Sequence, residues 1–359
     1  METAFAKRLI SARKMAGLSL QSLAEKLGNV VSKQALNKYE QGKMKPNSEL
    51  IIALSNILNV PINYFYSIPS IEVYFENVDF RRFSSRLSVT HEESIKEKAK
   101  DLFERYFELE SILNMEDDNK YFEYPIPISN PDEAEKAAKT LRKEWDLGYD
   151  PIADVVEMLE DKGYKVVEVE ADESFDGFKA DIGNKKVIVL RKTKDGDDIV
   201  RKRFTALHEL AHHILKFPEE LVEKDKEIEK LCHIFACAVL YPEEMARKEM
   251  QKDRFHFYLY ELELIKSRWG ISFTAIFNRA LHLGIINPTV YKKLNIGYKS
   301  RHLHLPNREP GIFQSKEKPV RMERMVYLGL GKEILTINEA AYYAGMSSWR
   351  LRSQIDQLV

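Results

Sequence analysis

Apolar positions recur at helical spacing through the first part of the chain and predict an all-helical head. Apolar side chains return every three or four residues between residues 4 and 66, and serines stand where helices would begin. The pattern predicts helices over residues 4–16, 19–27, 33–40 and from 48 to about 58, with a last turn reaching residue 65. An extended stretch at 71–83 and a long charged helix at 91–113 follow, and the polar, Pro-rich residues 114–131 are the best linker candidate.

From residue 131 the spacing mixes helical and alternating patterns, which predicts an α+β region. Predicted helices lie over residues 134–145, 152–162, 199–216, 219–240, 257–268 and 272–284, and predicted strands over 164–169, 177–181 and 186–190. After Pro288 the chain becomes basic and contains further prolines. A final helical pair, 337–344 and 348–358, fits either a second helix-turn-helix-like unit or a plain hairpin packed on the α+β region.

The composition is that of a soluble globular protein. The chain has 359 residues, 44% of them apolar and 31% charged, so two or three domains are expected. Neither a membrane span of about eighteen apolar residues nor a secretory signal is found, which predicts a cytoplasmic protein. The two cysteines, Cys232 and Cys237, match no disulfide or Cys-x-x-Cys pattern and are interpreted as small buried residues.

Charge is distributed unevenly along a chain whose net charge is −1. The first fifty residues carry nine lysines and arginines against four glutamates, whereas residues 91–135 are acid-rich. A basic segment on a near-neutral chain indicates a nucleic-acid footprint confined to one module.

The third predicted helix has the surface that a major-groove helix needs, namely small polar or basic side chains on its exposed N-terminal turns. Glutamine and asparagine can bond adenine through two contacts, and lysine suits guanine or phosphate. The candidate DNA contacts are Gln21, Ser32, Lys33, Gln34, Asn37, Lys38, Lys43 and Lys45. A helical protein-interaction domain with a solvated basic face is the alternative interpretation.

This head resembles the Xre/Cro-like helix-turn-helix family over about residues 4–66. The resemblance rests on Leu23-Ala24-x-x-Leu27-Gly28, Ser32-Lys33-Gln34-Ala35-Leu36-x-Lys38-Tyr39-Glu40-x-Gly42 and Pro46. It implies binding to double-stranded operator DNA, and a homodimer would suit two-fold operators. The turn at residues 28–31 is longer than that of the family.

Residues 204–212 read Phe-Thr-Ala-Leu-His-Glu-Leu-Ala-His and place a His-Glu-x-x-His motif in an amphipathic helical pattern. Because residues four apart share a helix face, His208 and His212 could hold one metal ion, with Glu209 beside it to activate water. A hydrolytic zinc site usually takes a third protein ligand. The candidates on the next predicted helix are Glu220, Glu223, Asp225, Glu227, Glu229 and His233.

Glu229 is favoured among these candidates because it shares a helix stripe with Cys232, His233 and Ala236, whose small members allow close approach to the motif helix. His233 is expected either to hold a metal ligand from behind or to be an ordinary core histidine. His213 points about 100° away from its neighbour His212, so it is expected on the helix surface.

The motif region resembles the ImmA/IrrE family of metallopeptidases over about residues 135–295. The resemblance rests on residues 203–215 and on Glu229-x-x-Cys232-His233-x-Phe235-Ala236-x-x-x-Leu240-Tyr241-Pro242. It implies a gluzincin-type zincin fold in which His208, His212 and Glu229 bind Zn²⁺ and Glu209 is the general base. The chain departs from the family pattern at Ala211, where glycine is usual, and at Cys232-His233, where Ala-Asn is usual.

The sequence therefore predicts a multidomain, mainly α protein with an all-α head, an α+β zincin-like peptidase domain and a small helical C-terminal region. The expected limits are 1–68 for the head, 69–130 for strand, charged helix and linker, 131–295 for the peptidase domain and 296–359 for the C-terminal region. An extended substrate is expected to add along an exposed strand edge at residues 186–190. Tyr241 is either an oxyanion donor or a packing residue.

Three functions fit these features. The leading hypothesis is a DNA-binding regulator whose zinc endopeptidase cleaves a regulatory protein, such as a helix-turn-helix repressor or an antitoxin. The second is a transcription factor whose peptidase-like domain senses a ligand or metal with little proteolysis. The third is a regulator that cleaves itself within residues 114–131. No membrane partner is expected.

Overall fold

The chain divides into two units in a computed structural model that describes residues 4–67, 69–78, 88–115, 121–122, 125–194, 197–222 and 224–355. The first unit comprises Met1–Asp117, Val169–Phe175 and Val320–Val359, and the second comprises Asp118–Glu168 and Asp176–Pro319. The chain thus leaves the first unit after its long helix and returns to it for its last helices. This division differs from the four segments expected from the sequence.

Helices dominate both units, as the sequence predicts. The α-helices are α1 (Ala4–Met15), α2 (Leu20–Lys26), α3 (Lys33–Glu40), α4 (Ser48–Leu58), α5 (Val89–Ile112), α6 (Pro131–Glu144), α7 (Val155–Asp161), α8 (Val200–Ile214), α9 (Glu219–Val222), α10 (Asp225–Leu240), α11 (Glu243–Met250), α12 (Leu259–Trp269), α13 (Phe273–His282), α14 (Pro288–Ser300), α15 (Arg321–Gly331), α16 (Ile337–Tyr343) and α17 (Ser348–Gln354). A 3₁₀ turn covers Ile62–Tyr66.

Two small sheets lie in the described residues. Their strands are β1 (Ile126–Pro127), β2 (Lys165–Val169), β3 (Gly177–Ile182), β4 (Lys185–Arg191) and β5 (Leu215–Lys216). Strands β1 and β5 pair in parallel, and the other sheet has the order β2-β4-β3, with β3 and β4 antiparallel. Strand β4 is therefore central, so the expectation that residues 186–190 form an exposed edge is wrong: both sides of this strand already carry partners.

The head helices begin at residues whose side chains accept a hydrogen bond from the backbone N–H three positions ahead. Ser19, Ser32 and Asn47 play this part for α2, α3 and α4. The fourth helix begins at Ser48, as the sequence predicts, and Asn47 caps it. Arg13 ties α1 to α3, because its Nε and Nη2 donate to the two carboxylate oxygens of Glu40 at 2.6 and 2.9 Å.

The long helix α5 packs against α1 and against the C-terminal helices within the first unit. The buried guanidinium of Arg8 lies 3.4 Å from Asp101 and 3.4 Å from Glu104. Farther along α5, Arg105 donates to the carbonyl oxygen of Tyr342 at 3.2 Å. The final helical pair accordingly packs in the first unit and not on the peptidase-like region.

The second unit is built around α8 and α10, which share one apolar core with α6 and α7. Part of the predicted linker belongs to this unit, since the Tyr121 hydroxyl donates to the carbonyl of Gly163 at 3.2 Å and accepts from the N–H of Lys186 at 3.1 Å. Residues 116–120 and 123–124 of that predicted linker lie outside the described residues.

An extended segment, residues 309–319, runs over the second unit and is called the strap below. The carboxylate of Glu309 accepts from the N–H of Phe273, the first residue of α13, at 2.9 Å and lies 3.1 Å from Lys266 Nζ. The Glu317 carboxylate accepts from the N–H groups of Val155 and Val156 at the start of α7. Each anion thus satisfies backbone donors at a helix N-terminus.

The second of these carboxylates also neutralises a buried cation. Glu317 pairs with Arg203 of α8, and both side chains are fully buried. The Arg203 guanidinium further donates to the carbonyl oxygens of Ile152 and Ala153 and stacks on the ring of Phe313. The strap is therefore joined to the helix that carries the His-Glu-x-x-His motif.

Candidate metal centre and nucleic-acid interface

Helix α8 holds the His-Glu-x-x-His motif in a nearly dry environment. The side chain of His208 has no solvent exposure, and Glu209 is only 3% exposed. The ring of Phe204, one turn earlier, stacks near His208 with centroids 6.3 Å apart. The amphipathic pattern that predicted this helix thus places both motif side chains in the interior.

The side chains of three predicted ligands converge between α8 and α10. His208 Nε2 lies 3.1 Å from His212 Nε2, and the two carboxylate oxygens of Glu229 lie 3.3 Å from one or the other of these nitrogens. A tetrahedral zinc with bonds of 2.0–2.1 Å needs ligand atoms about 3.3–3.4 Å apart. The residues present therefore fit Zn²⁺, with Glu229, 26% exposed, on the open side of the triangle.

The side chains of this triangle shift one another's pKa values. Burial raises the pKa of Glu229, but hydrogen bonds and charge from His208 and His212 outweigh burial, so the pKa lies well below its ordinary value. Burial lowers the pKa of His212, but hydrogen bonds to Cys232 and Glu229 and the charge of Glu209 raise it well above its ordinary value. The three groups thus form one polar cluster in an apolar surround.

Strand β3 lies alongside α8 at the level of Glu209. A Cβ on Gly177 would stand 2.9 Å from the Thr205 side chain, and Asp181 Oδ1 lies 3.6 Å from His213 Nδ1. Four strand residues and eight helical residues both span about 12–13 Å, so strand and helix run side by side. Glu209 lies midway between Thr205 and His213, one turn from each and on the same face.

Cys232, one of the two residues at which this stretch departs from the family pattern, contacts a candidate metal ligand. Cys232 Sγ lies 3.8 Å from Nδ1 of His212, and burial raises the pKa of this thiol. The interpretation of Cys232 as merely a small buried residue is therefore incomplete. Cys232 shares a helix stripe with Glu229, and this spacing is the sequence feature that could predict its contact with His212. Cys237 is buried without a role at the centre, and burial raises the pKa of its thiol to about 12.

His233 adjoins the cluster of candidate ligands. Its ring centroid is 4.8 Å from that of His208 and 5.4 Å from that of Phe204. One ligand atom each of His208, Glu229 and His233 lies within 4.8 Å of the others, so these three residues also form a group that could hold a metal ion. His233 thus lies next to the ring of a candidate ligand, with the two ring planes tilted by 48°.

His213 differs from its expected position, whereas Tyr241 takes one of its two expected roles. His213 is buried, contrary to the expected surface position: its Nε2 lies 3.0 Å from the Val187 carbonyl oxygen, because the sheet covers this face of α8. Burial lowers the pKa of His213 to about 3. Tyr241 is also fully buried, and its hydroxyl donates to Glu249 at 2.9 Å, which identifies it as a packing residue.

The head presents α3 as the sequence predicts. Leu36 and Tyr39 are buried and Ala35 is partly buried. The exposed candidate DNA contacts are Gln21, Ser32, Lys33, Gln34, Asn37, Lys38, Lys43 and Lys45. Two of them have local partners, since the Ser32 hydroxyl caps α3 and the Gln21 amide donates to Glu25 at 2.9 Å.

Comparison with known families assigns both regions. A family model described as helix-turn-helix matches residues 9–65, and a model described as IrrE N-terminal-like domain matches residues 160–281. The chain joins these two domains. The two resemblances identified from the sequence are confirmed, and the second match is to a metallopeptidase-like family. The helix-turn-helix domain supports DNA binding and transcription regulation.

A curated relative is consistent with the helix-turn-helix match. The chain is similar to an uncharacterized HTH-type transcriptional regulator, YqaE, of Bacillus subtilis (strain 168), with 34% identity over 73 residues. The match covers 20% of this chain and 61% of that relative. Among the described residues, no helix combines the length and the apolar character that crossing a membrane requires.

Proposed function

We propose that this protein is a transcriptional regulator whose second unit is a zinc-dependent endopeptidase that cleaves a regulatory protein. The observation that supports the enzyme best is the triangle of His208, His212 and Glu229 atoms at 3.1–3.3 Å. The IrrE N-terminal-like match covers all three residues. A helix-turn-helix repressor or an antitoxin is the proposed substrate class, based on the resemblance to ImmA/IrrE peptidases.

The roles follow from the surroundings of each side chain. His208, His212 and Glu229 would hold zinc, which supplies Lewis acidity toward water and the scissile carbonyl. Glu209 accepts a proton from the attacking water on its carboxylate and delivers it to the leaving amine nitrogen. The buried position of Glu209 strengthens such transfers, because few solvent molecules compete for the proton.

The substrate would bind along β3 rather than along β4. In the described part of the sheet, β3 has a strand partner on one side only. An extended peptide added to its other side would gain backbone hydrogen bonds. Because β3 runs beside the turn of α8 that carries Glu209, the peptide would pass the proposed catalytic centre.

The enzyme proposal is tested by mixing the purified protein with helix-turn-helix repressors encoded near its own gene. We expect about one zinc per chain by atomic emission, and repressor fragments that no longer form once a chelator has removed the metal. Re-addition of zinc should restore cleavage. A bound zinc with no cleavage of any repressor or antitoxin would support the metal-sensor alternative, and fragments of the protein itself would support self-cleavage.

The head is proposed to read an operator through α3, in a homodimer if the operator is two-fold symmetric. Replacing Lys33 and Asn37 together by alanine should reduce specific binding by about 30-fold or more, since two base contacts contribute ~1–3 kcal/mol each. A gel shift on operator DNA selected from a random library measures this. Lys26→Ala with Asn56→Ala, also exposed but outside α3, is the control. Unchanged binding of the first variant would move recognition to another element.

A further inference from the structure

The C-terminal part of the second unit carries a long stretch without acidic residues. Between Glu263 and Glu309 the sequence has no aspartate or glutamate. Acidic residues number 56 among 359, so a stretch of this length would carry about seven of them by composition alone. The lysines and arginines of the stretch divide into two groups, one buried and one exposed.

The buried cations are neutralised by acids from elsewhere in the unit. Lys266 pairs with Asp198 and Glu309, and Arg279 donates to both carboxylate oxygens of Glu135. These pairs hold helices together and leave no uncompensated positive charge for a partner. Their role is structural.

Arg268, exposed on α12, pairs with Glu249, and the other exposed cations lie on α14 and in the loop that follows it. They are Lys292, Lys293, Lys299, Arg301 and Arg308. No ion pair or side-chain hydrogen bond of these five residues occurs within the described parts of the chain. Other exposed cations of the same unit do find acids, as Lys139 does with Glu244. The five therefore form a surface of one sign, which we call the α14 surface.

The geometry of the α14 surface suits a regular polyanion. Lys292, Ile296 and Lys299 share one exposed helix face by their spacing of four and three residues. The two lysines are about 10 Å apart along the axis, which corresponds to about three base-pair steps of B-DNA. Two acids facing the following loop are already engaged, Asp197 with Asn307 and Asp198 with Lys266.

We propose that the α14 surface is a second DNA-binding surface, which contacts phosphates of double-stranded DNA without reading sequence. Phosphate contacts from lysine and arginine supply affinity and salt dependence but no base specificity. Double-stranded DNA is the favoured polyanion because the same chain carries a helix-turn-helix domain. The proposal adds to the peptidase function and does not depend on it.

The test measures how DNA affinity of the full-length protein depends on salt. The probe is a fluorescent mixed-sequence duplex of about 40 base pairs, titrated between about 50 and 200 mM KCl. The variant Lys292→Gln, Lys299→Gln, Arg301→Gln should lower the slope of log K against log salt by about 2–3, as three phosphate contacts at ~0.9 each predict. Its affinity at the lowest salt should fall at least about tenfold.

Two comparisons make this result interpretable. Lys230→Gln, Lys248→Gln, Lys252→Gln removes the same charge from exposed positions outside the α14 surface and should leave the slope unchanged. The charge-preserving variant Lys292→Arg, Lys299→Arg, Arg301→Lys should keep the parental slope. A parental slope in the glutamine variant, or an equal loss in the Lys230 control, overturns the proposal. Zinc content and peptidase activity are measured in parallel, so failure of the peptidase proposal would be seen separately.

Discussion

Glu209→Gln should lower the rate of peptide cleavage by about 10²–10⁴-fold, the range that a positioned general base contributes. Glutamine keeps the size and a hydrogen-bonding oxygen of the side chain but cannot accept the proton of the attacking water. Glu209 lies outside the ligand triangle, so the variant should still bind about one zinc per chain. Cleavage of a repressor substrate under initial-rate conditions and zinc content by atomic emission provide the two measurements.

The matched control for this result is Glu229→Ala, which removes a ligand atom instead of the proposed base. It should lose both zinc and activity, whereas Glu209→Gln loses activity alone. If the glutamine variant cleaves at the parental rate, the proton must go elsewhere and the assigned mechanism is wrong. If it also loses zinc, Glu209 serves the metal rather than the water.

Glu317→Ala should destabilise the second unit by about 3–5 kcal/mol, because it leaves the charge of Arg203 buried without its partner. The same change removes the acceptor for the N–H groups of Val155 and Val156. Urea unfolding can be followed by fluorescence, since Trp145 and Trp269 are buried in this unit. The midpoint of that transition should move to lower urea.

The double variant Arg203→Leu with Glu317→Leu separates the two contributions. Apolar replacements of similar packing volume often recover the stability lost when one member of a buried pair is removed. We therefore expect the double variant to unfold at higher urea than Glu317→Ala. A Glu317→Ala midpoint equal to that of the parent would mean that the strap does not stabilise the unit, and that Arg203 is satisfied by carbonyl oxygens alone.

The parts of this protein that follow from local spacing could be predicted from the sequence. The spacing of residues 204–212 sets one helix face, and the stripe of Glu229, Cys232 and Ala236 sets the facing one, so the sequence identifies both ligand-bearing helices. The head helices likewise follow from apolar spacing and serine caps. In these cases the interactions that determine the structure lie within a few residues of one another.

Features that depend on distant partners could not be predicted in the same way. Alternating hydrophobic and polar residues identify β4 as a strand but do not show that it lies between β2 and β3. This central position moves the proposed substrate-binding edge from β4 to β3. His213 looked like a surface residue because nothing near it in sequence announces the sheet that covers it. The partner of Glu317 is likewise found far away, in Arg203 of α8. Pairings of this kind are set by topology, which periodicity does not encode.

The second unit is inserted into the first, and this affects how self-cleavage could act. A single cut within residues 114–131 would separate α1 to α5 from α15 to α17 in covalent terms, yet both sets of helices belong to the first unit. They would stay associated through Arg105 and its contacts with the Tyr342 region of α16. A nicked molecule would thus run as two bands on a denaturing gel and as one complex in native conditions. Release of the head would require a second event that opens this interface.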